Sequence, residues 1–324
     1  MAVVTNDAIG NFVVATPLMQ MLRGRFPGGS LDYFSRPGVH ELAEASDLVD
    51  RAFQISPSSH QEPHLRPAEA YHLVVNVERL NWAKRAAAAL AGEVGWVCGP
   101  STDREGQGDL PFPDDDRGTL WADQNWVSED IRRRYPFLQT SFIGEIFCRL
   151  AYLHGPLPGY RVPSELPGRD VPDVLISITA SLPQKLWPVA HWVRLVGDLR
   201  DRGLTVGLVG ARPDLQVKLW QGGDSEEQVL EAGVEDLRGR FTLPQVVGAI
   251  QQARRVVTLD NGILHLACAT DTPVVGLFRH GIHRLWAPPA ENLTVMDPGS
   301  GGQVNDIPYE SVWGRLADAK PPGS

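Results

Sequence analysis

Cysteine is scarce in this chain: 324 residues carry three, Cys98, Cys148 and Cys268. They are odd in number, far apart and without metal-ligand spacing. That excludes a disulfide framework and fits a reducing cytoplasm, the expected location. Positive charge is also in deficit. Lys and Arg total 30 against 39 Asp and Glu, giving a formal charge of −9, which argues against nucleic acid or an anionic membrane surface as the main partner. No apolar run is long enough to span a bilayer. The early apolar stretches, Ala2 to Val4 and Phe12 to Ala15, follow no basic region and are interrupted by Asp7, so no signal peptide is read there. The acidic run Asp114–Asp116 could suggest a metal site and the basic run Arg132–Arg134 an anion site, but solvated charge is the favoured reading of both.

What is present is βα alternation. Apolar runs at Ala2–Thr5, Leu31–Phe34, Arg51–Ile55, Tyr71–Val77 and Val94–Val97 read as strands. Phe12–Arg25, Val39–Ala45 and Asn81–Ala91 read as helices between them. Ser101–Arg117, rich in Gly, Asp and Pro, reads as a loop, and Ser128–Leu153 as mostly helical. Five prolines between His154 and Asp173 mark a linker. The alternation then restarts with strands at Val174–Ile178, Thr205–Val209 and Val256–Leu259. Helices are expected at Trp192–Arg200, Leu215–Gln221, Glu226–Ala232 and Leu243–Gln252. The expected fold class is α/β, with two Rossmann-like βαβ domains, 1–160 and 170–308. A C-terminal segment follows, 309–324.

The most informative stretch is Val256 to Phe278. It reads as a buried strand, a turn at Asp260, Asn261 and Gly262, a short helix from Ile263 to Ala269, and a second buried strand. A strand–turn–helix of this kind leaves backbone N–H groups unpaired at the sheet edge, and such groups bind phosphates. Gly262 permits close backbone approach. His265 sits one turn inside the helix, within reach of the same anion. An ordinary crossover with a capped helix accounts for this stretch alone equally well. Asp260 is likewise open between holding the turn and touching a ligand.

A second segment, Val174 to Gly210, runs from strand to a small-residue loop, Thr179 to Pro183. Lys185, Trp187 and Pro188 follow, with Pro188 suited to a helix first turn. Lys185 therefore lies at the same sheet edge as Gly262 and His265. Beside the hydroxyls of Thr179 and Ser181 it is a candidate phosphate clamp.

These segments, with the N-terminus, resemble glycosyltransferase family 9, the lipopolysaccharide heptosyltransferases. The family's D-x-x-G-D-x-x-x-x-x-P loop stands here as Asp7, Ala8, Ile9, Gly10, Asn11 and on to Pro17. Its K-x-W-P is Lys185, Leu186, Trp187, Pro188. Its D-S/T-G-x-x-H-L-A is Asp260, Asn261, Gly262, Ile263, Leu264, His265, Leu266, Ala267, preceded by Gly239, Thr242 and Leu243 of an L-x-G-x-T-x-L lead-in. The resemblance implies a GT-B fold, with two domains facing across a cleft and the segment after residue 308 returning to the first domain. It implies a nucleotide-sugar donor, ADP-heptose first, held by Ser181, Lys185, Asp260, Asn261, Gly262 and His265. A glycan or small-molecule acceptor would lie on the loop of Asp7, Gly10 and Asn11. No cofactor and no metal is expected, because lysine and helix N-terminus fill the cation's role.

Two departures stand out. The family places a general-base aspartate where this chain has Asn11, and an amide cannot take a proton at neutral pH. Asp7 is the only carboxylate of that loop, so Asp7 and Asn11 are the candidate catalytic pair. Arg279, His280 and Gly281 also replace the family's G-P-T. Transfer is the leading function. A nucleotide-sugar-binding pseudoenzyme and a GT-B epimerase are the alternatives.

Overall fold

The computed structural model describes residues 1–55, 70–103, 105–216 and 222–317. The chain divides within its proline-rich stretch into two units, residues 1–163 and 164–324. In the first unit the order is β1 (Ala2–Val4), α1 (Ile9–Arg25), β2 (Asp32–Ser35), α2 (His40–Ala45), β3 (Arg51–Gln54), β4 (Leu73–Asn76), α3 (Asn81–Ala91), β5 (Trp96–Cys98), α4 (Asp116–Ala122), α5 (Ile131–Arg134) and α6 (Ile143–Leu150). The strands form one parallel sheet in the order β3-β2-β1-β4-β5. Central β1 is buried throughout, as a strand covered by helices on both faces must be.

The second unit holds β6 (Val174–Ser177), α7 (Val189–Asp201), β7 (Val206–Leu208), α8 (Pro213–Gln216), α9 (Ser225–Glu231), β8 (Glu235–Asp236), α10 (Leu243–Gln252), β9 (Arg255–Leu259), α11 (Gly262–Cys268), β10 (Val274–Leu277), α12 (His283–Trp286), β11 (Leu293–Met296) and α13 (Tyr309–Ala317). Its six parallel strands run β11-β10-β9-β6-β7-β8. In each sheet the order reverses beside the first strand of the unit. The crevice at that reversal, outside the carboxyl ends of the strands, is where open α/β sheets bind ligands. It falls between β1 and β4 in the first unit and between β6 and β9 in the second.

Several expectations need correction. The first helix starts at Ile9, so Gly10 and Asn11 lie in its first turn and not in the preceding loop. Ser128–Leu153 is not one mostly helical stretch. α5 and α6 are short and separated by a turn around Pro136, where Glu145 accepts from Gln139 N (3.0 Å) and Thr140 N (2.6 Å). Of the segment after residue 308, the described part is α13. Tyr309, Val312 and Leu316 of α13 enter the apolar core of the second unit, and Tyr309 stacks on Trp187. α8 covers only the start of the helix expected over 215–221; residues 217–221 lie outside the described residues. Among the described residues, no helix is long and apolar enough to cross a membrane.

Candidate active site

Asn261 organises the edge of the second sheet. It is the N-cap of α11, with extended backbone, and its Oδ1 accepts from Ile263 N (2.9 Å), Leu264 N (3.3 Å) and Thr258 Oγ1 (3.1 Å). Its Nδ2 donates to Ser177 Oγ (3.1 Å) and Thr179 O (2.8 Å). One amide therefore caps a helix and ties the end of β9 to the end of β6, across the point of reversal. This corrects the picture of a bare helix N-terminus. Two of its N–H groups are already satisfied by the cap, and both ends of the Asn261 amide are engaged within the unit. Gly262 opens the helix beside it.

Lys185 reaches the same point from the other strand. It ends a short 3-10 turn, Pro183–Lys185, after β6. Its Nζ donates to Asp260 Oδ2 at 2.7 Å and to Asp260 O at 3.3 Å. The pair is mostly withdrawn from water, with side chains 17% and 5% exposed. The loop is fixed from behind by Trp187, a buried side chain whose Nε1 donates to Ile307 O at 2.9 Å. Asp260 thus holds the lysine ammonium at the sheet edge, and a three-proton donor so held retains capacity toward an anion. Ser181 lies in the same loop, exposed.

His265 does not act as a cation here. It is 3% exposed, and burial pushes its pKa down to about 4. The Asp260 carboxylate opposes that shift and Lys185 adds to it. Its ring meets Trp286 edge-on at 6.2 Å. At neutral pH it presents a neutral imidazole. The unfolded chain, with an ordinary histidine near 6.5, binds the extra proton below that value. The stability from a neutral His265 is therefore full above pH 6.5 and is lost as pH falls toward 4, by on the order of 3 kcal/mol. His265→Leu is expected to flatten the stability profile in this window when urea unfolding is followed against pH. Parallel wild-type and variant profiles would show that the histidine is not kept neutral.

The departure at Arg279–Gly281 is anchored by a residue that the sequence did not single out. Asp297, just past β11, accepts from His280 Nδ1 (3.0 Å), Gly281 N (3.3 Å) and Gly299 N (2.7 Å). These donors outweigh burial and hold its carboxyl below the usual range.

In the first unit, Asp7 lies exposed on the turn after β1, at the β1–β4 reversal. Neighbouring Asn6 shapes the turn. Its Oδ1 accepts from Ala8 N (2.9 Å) and its Nδ2 donates to Glu78 Oε2 (2.8 Å). Glu78, beyond β4, also accepts from Arg79 N (2.7 Å) and Leu80 N (3.1 Å). It is a second carboxylate at this edge, absent from the sequence reading, and its bonds mark it as a structural anchor. Gly10 and Asn11 follow on α1, whose N-cap, Ala8, lacks a capping side chain. Asp7, Gly10 and Asn11 share one edge, and so do Lys185, Asp260, Asn261, Gly262 and His265 in the other unit.

Residues 161–303 match the family model described as glycosyltransferase family 9 (heptosyltransferase). Lipopolysaccharide heptosyltransferase 2 of Salmonella typhimurium is 34% identical over 98 residues, 30% of this chain and 27% of that protein. Lipooligosaccharide heptosyltransferase 2 of Haemophilus influenzae is 28% identical over 121 residues, 35% of this chain and 33% of that protein. The chain thus spans about a quarter to a third of the length of these curated relatives. Solved structures resemble it over nearly its whole length. A glycosyl transferase family 9 protein of Veillonella parvula has TM-score 0.71 at 13% identity, covering 98% of this chain and 95% of that one. The ADP-heptose lps heptosyltransferase II of E. coli has TM-score 0.68 at 18% identity, covering 98% and 97%. At such identities these structures show the fold, the two Rossmann-like units of the GT-B class. The resemblance of this chain to glycosyltransferase family 9, carried first by its motifs, is borne out by the family's own model over residues 161–303.

Proposed function

We propose that the protein is an inverting, metal-independent glycosyltransferase that moves a sugar from a nucleotide diphosphate donor, with ADP-heptose the first candidate, to an acceptor held by the first unit. The Lys185–Asp260 pair, set at the β6–β9 reversal by Asn261, carries this reading. An E. coli heptosyltransferase, WaaC, with the same fold was solved with ADP, which supports the choice of nucleotide.

Transfer builds negative charge on the departing diphosphate. A preorganised donor there is worth about 3–4 kcal/mol of barrier. Lys185 supplies a fixed ammonium, Ser181 a hydroxyl and neutral His265 an N–H. Asp260 orients the ammonium and Asn261 fixes the turn. On the acceptor side Asp7 takes the proton of the attacking hydroxyl, and Asn11, an amide, orients it. Attack from the face opposite the leaving group inverts the anomeric centre.

The reading is tested by incubating the protein with ADP-heptose and acceptors, and following ADP release with and without EDTA. Turnover is expected to be unchanged by EDTA. Loss with EDTA and recovery with magnesium would contradict the electrostatic account. Asn11 in place of the family aspartate favours a second reading, a donor-binding protein without turnover. ADP binding without product across many acceptors would establish it.

A further inference from the structure

The first unit carries a built cavity that the donor chemistry does not use. It has a volume of about 600 Å³ and opens at the end of edge strand β5, on the carboxyl edge of the sheet that also carries Asp7. Trp96, Leu110, Phe112, Trp121, Leu150 and Tyr152 make most of its wall. Phe112 and Trp121 stack at 5.8 Å with ring planes 10° apart, so part of that wall is flat. Trp96 is 67% exposed at its rim, a large apolar side chain left in water by folding.

The backbone beside the cavity is tightly constrained. Gly99 has φ of +112°, and a Cβ there would meet Asn76 O at 2.0 Å. Asn76 Nδ2 donates to Pro100 O at 2.7 Å, tying β4 to the cavity floor. Tyr152 is the only non-glycine residue with positive φ among the described residues, at +57°. It follows the C-cap of α6, where glycine is the usual residue because it has no Cβ penalty. Leu153 N bonds Cys148 O (3.0 Å) across this turn, and buried Arg149 donates to Leu153 O (3.0 Å) and Gly155 O (2.8 Å). A tyrosine held in an unfavourable backbone region by its surroundings points to a role for its side chain. That side chain walls the cavity and donates to Asp115 Oδ2 at 2.6 Å.

The lining sets the chemistry of the occupant. No lysine or arginine lines the cavity, and its charged group is the Asp115 carboxylate. Anionic ligands are therefore repelled. Asp115 is already engaged by Tyr152, Arg117 N (2.9 Å) and Gly118 N (2.8 Å), which leaves little to satisfy the hydroxyls of a sugar. The volume suits a small organic ligand, and flat aromatic walls reward a planar ring.

We propose that this cavity binds an uncharged aromatic ring system, the apolar part of the acceptor. Its role as acceptor site rests on the transferase reading above; the binding itself does not. The test uses the full chain and naphthol as probe, titrated calorimetrically, with methyl mannoside as the sugar comparison and ADP as the probe of the second unit. Naphthol is expected to bind saturably at one site. Its affinity should fall at least tenfold in Trp96→Ala, an exposed position that folding tolerates, and in Tyr152→Gly, where glycine suits the backbone. ADP affinity should be unchanged in both variants. Absence of saturable naphthol binding, binding that survives both substitutions, or competition by methyl mannoside would each overturn the proposal. If naphthol binds as expected and ADP does not bind at all, the cavity stands and the donor reading fails.

Discussion

Asp7→Asn is expected to slow glycosyl transfer by roughly 10²–10⁴, the usual worth of a positioned general base. A hydroxyl acceptor must lose its proton as it attacks, and the family position for that base carries Asn11 here. Asp7 lies on the exposed turn at the β1–β4 reversal, where an acceptor can approach it. Glu78 shares the edge, but its oxygens accept from Asn6, Arg79 and Leu80, so it holds the turn in place. Asn11 lies in the first turn of α1 and can offer an amide to the acceptor. Asn11→Asp is therefore expected to preserve or raise the rate. Full turnover in both Asp7→Asn and Asn11→Ala would remove the acceptor from this loop. A fall in melting temperature without a fall in rate would make Asp7 a structural residue only.

Lys185→Ala is expected to weaken ADP binding by about 1–3 kcal/mol, a loss of roughly fivefold to 150-fold. Two effects act in the same direction. The substitution removes the ammonium proposed to meet the diphosphate, and it leaves Asp260, 5% exposed, as an unpaired carboxylate at the same point. Breaking a buried pair on one side also destabilises the fold, typically by about 3–5 kcal/mol. The double variant Lys185→Ala with Asp260→Asn separates the two contributions. It should recover much of the stability and little of the ADP affinity. Recovery of affinity in the double variant would mean that Lys185 serves the fold and not the ligand.

The elements around these residues were legible where the physics is local. Val174–Ser177, Arg255–Leu259 and Val274–Leu277 are buried parallel strands and read as continuous apolar runs. α3 and α10 match their expected bounds, and α10 carries a capping box from Thr242 to Gln245. The start of α1 departs from the expected Phe12 because its N-cap is alanine, and Asn6, which accepts from Ala8 N, does so from outside the helix. β8, with two residues, and half-buried β11 offered too short or too weak a pattern to read. Lys185 and Asp260 were each named from the motifs, but their ion pair spans 75 positions and depends on sheet order. The same holds for Glu78 against Asn6 and for Asp297 against His280. The burial of His265 was signalled by the apolar residues around it, Ile263, Leu264, Leu266 and Ala267. Its consequence, a neutral ring in place of a cation, follows only once that helix is packed.

The most direct test of the donor assignment is a crystal structure grown with ADP. The diphosphate is expected beside Lys185 Nζ, at the carboxyl ends of β6 and β9, with the Asn261 cross-link to Ser177 and Thr179 intact. ADP bound at any other edge of the molecule, or no bound ADP at saturating concentration, would contradict the account.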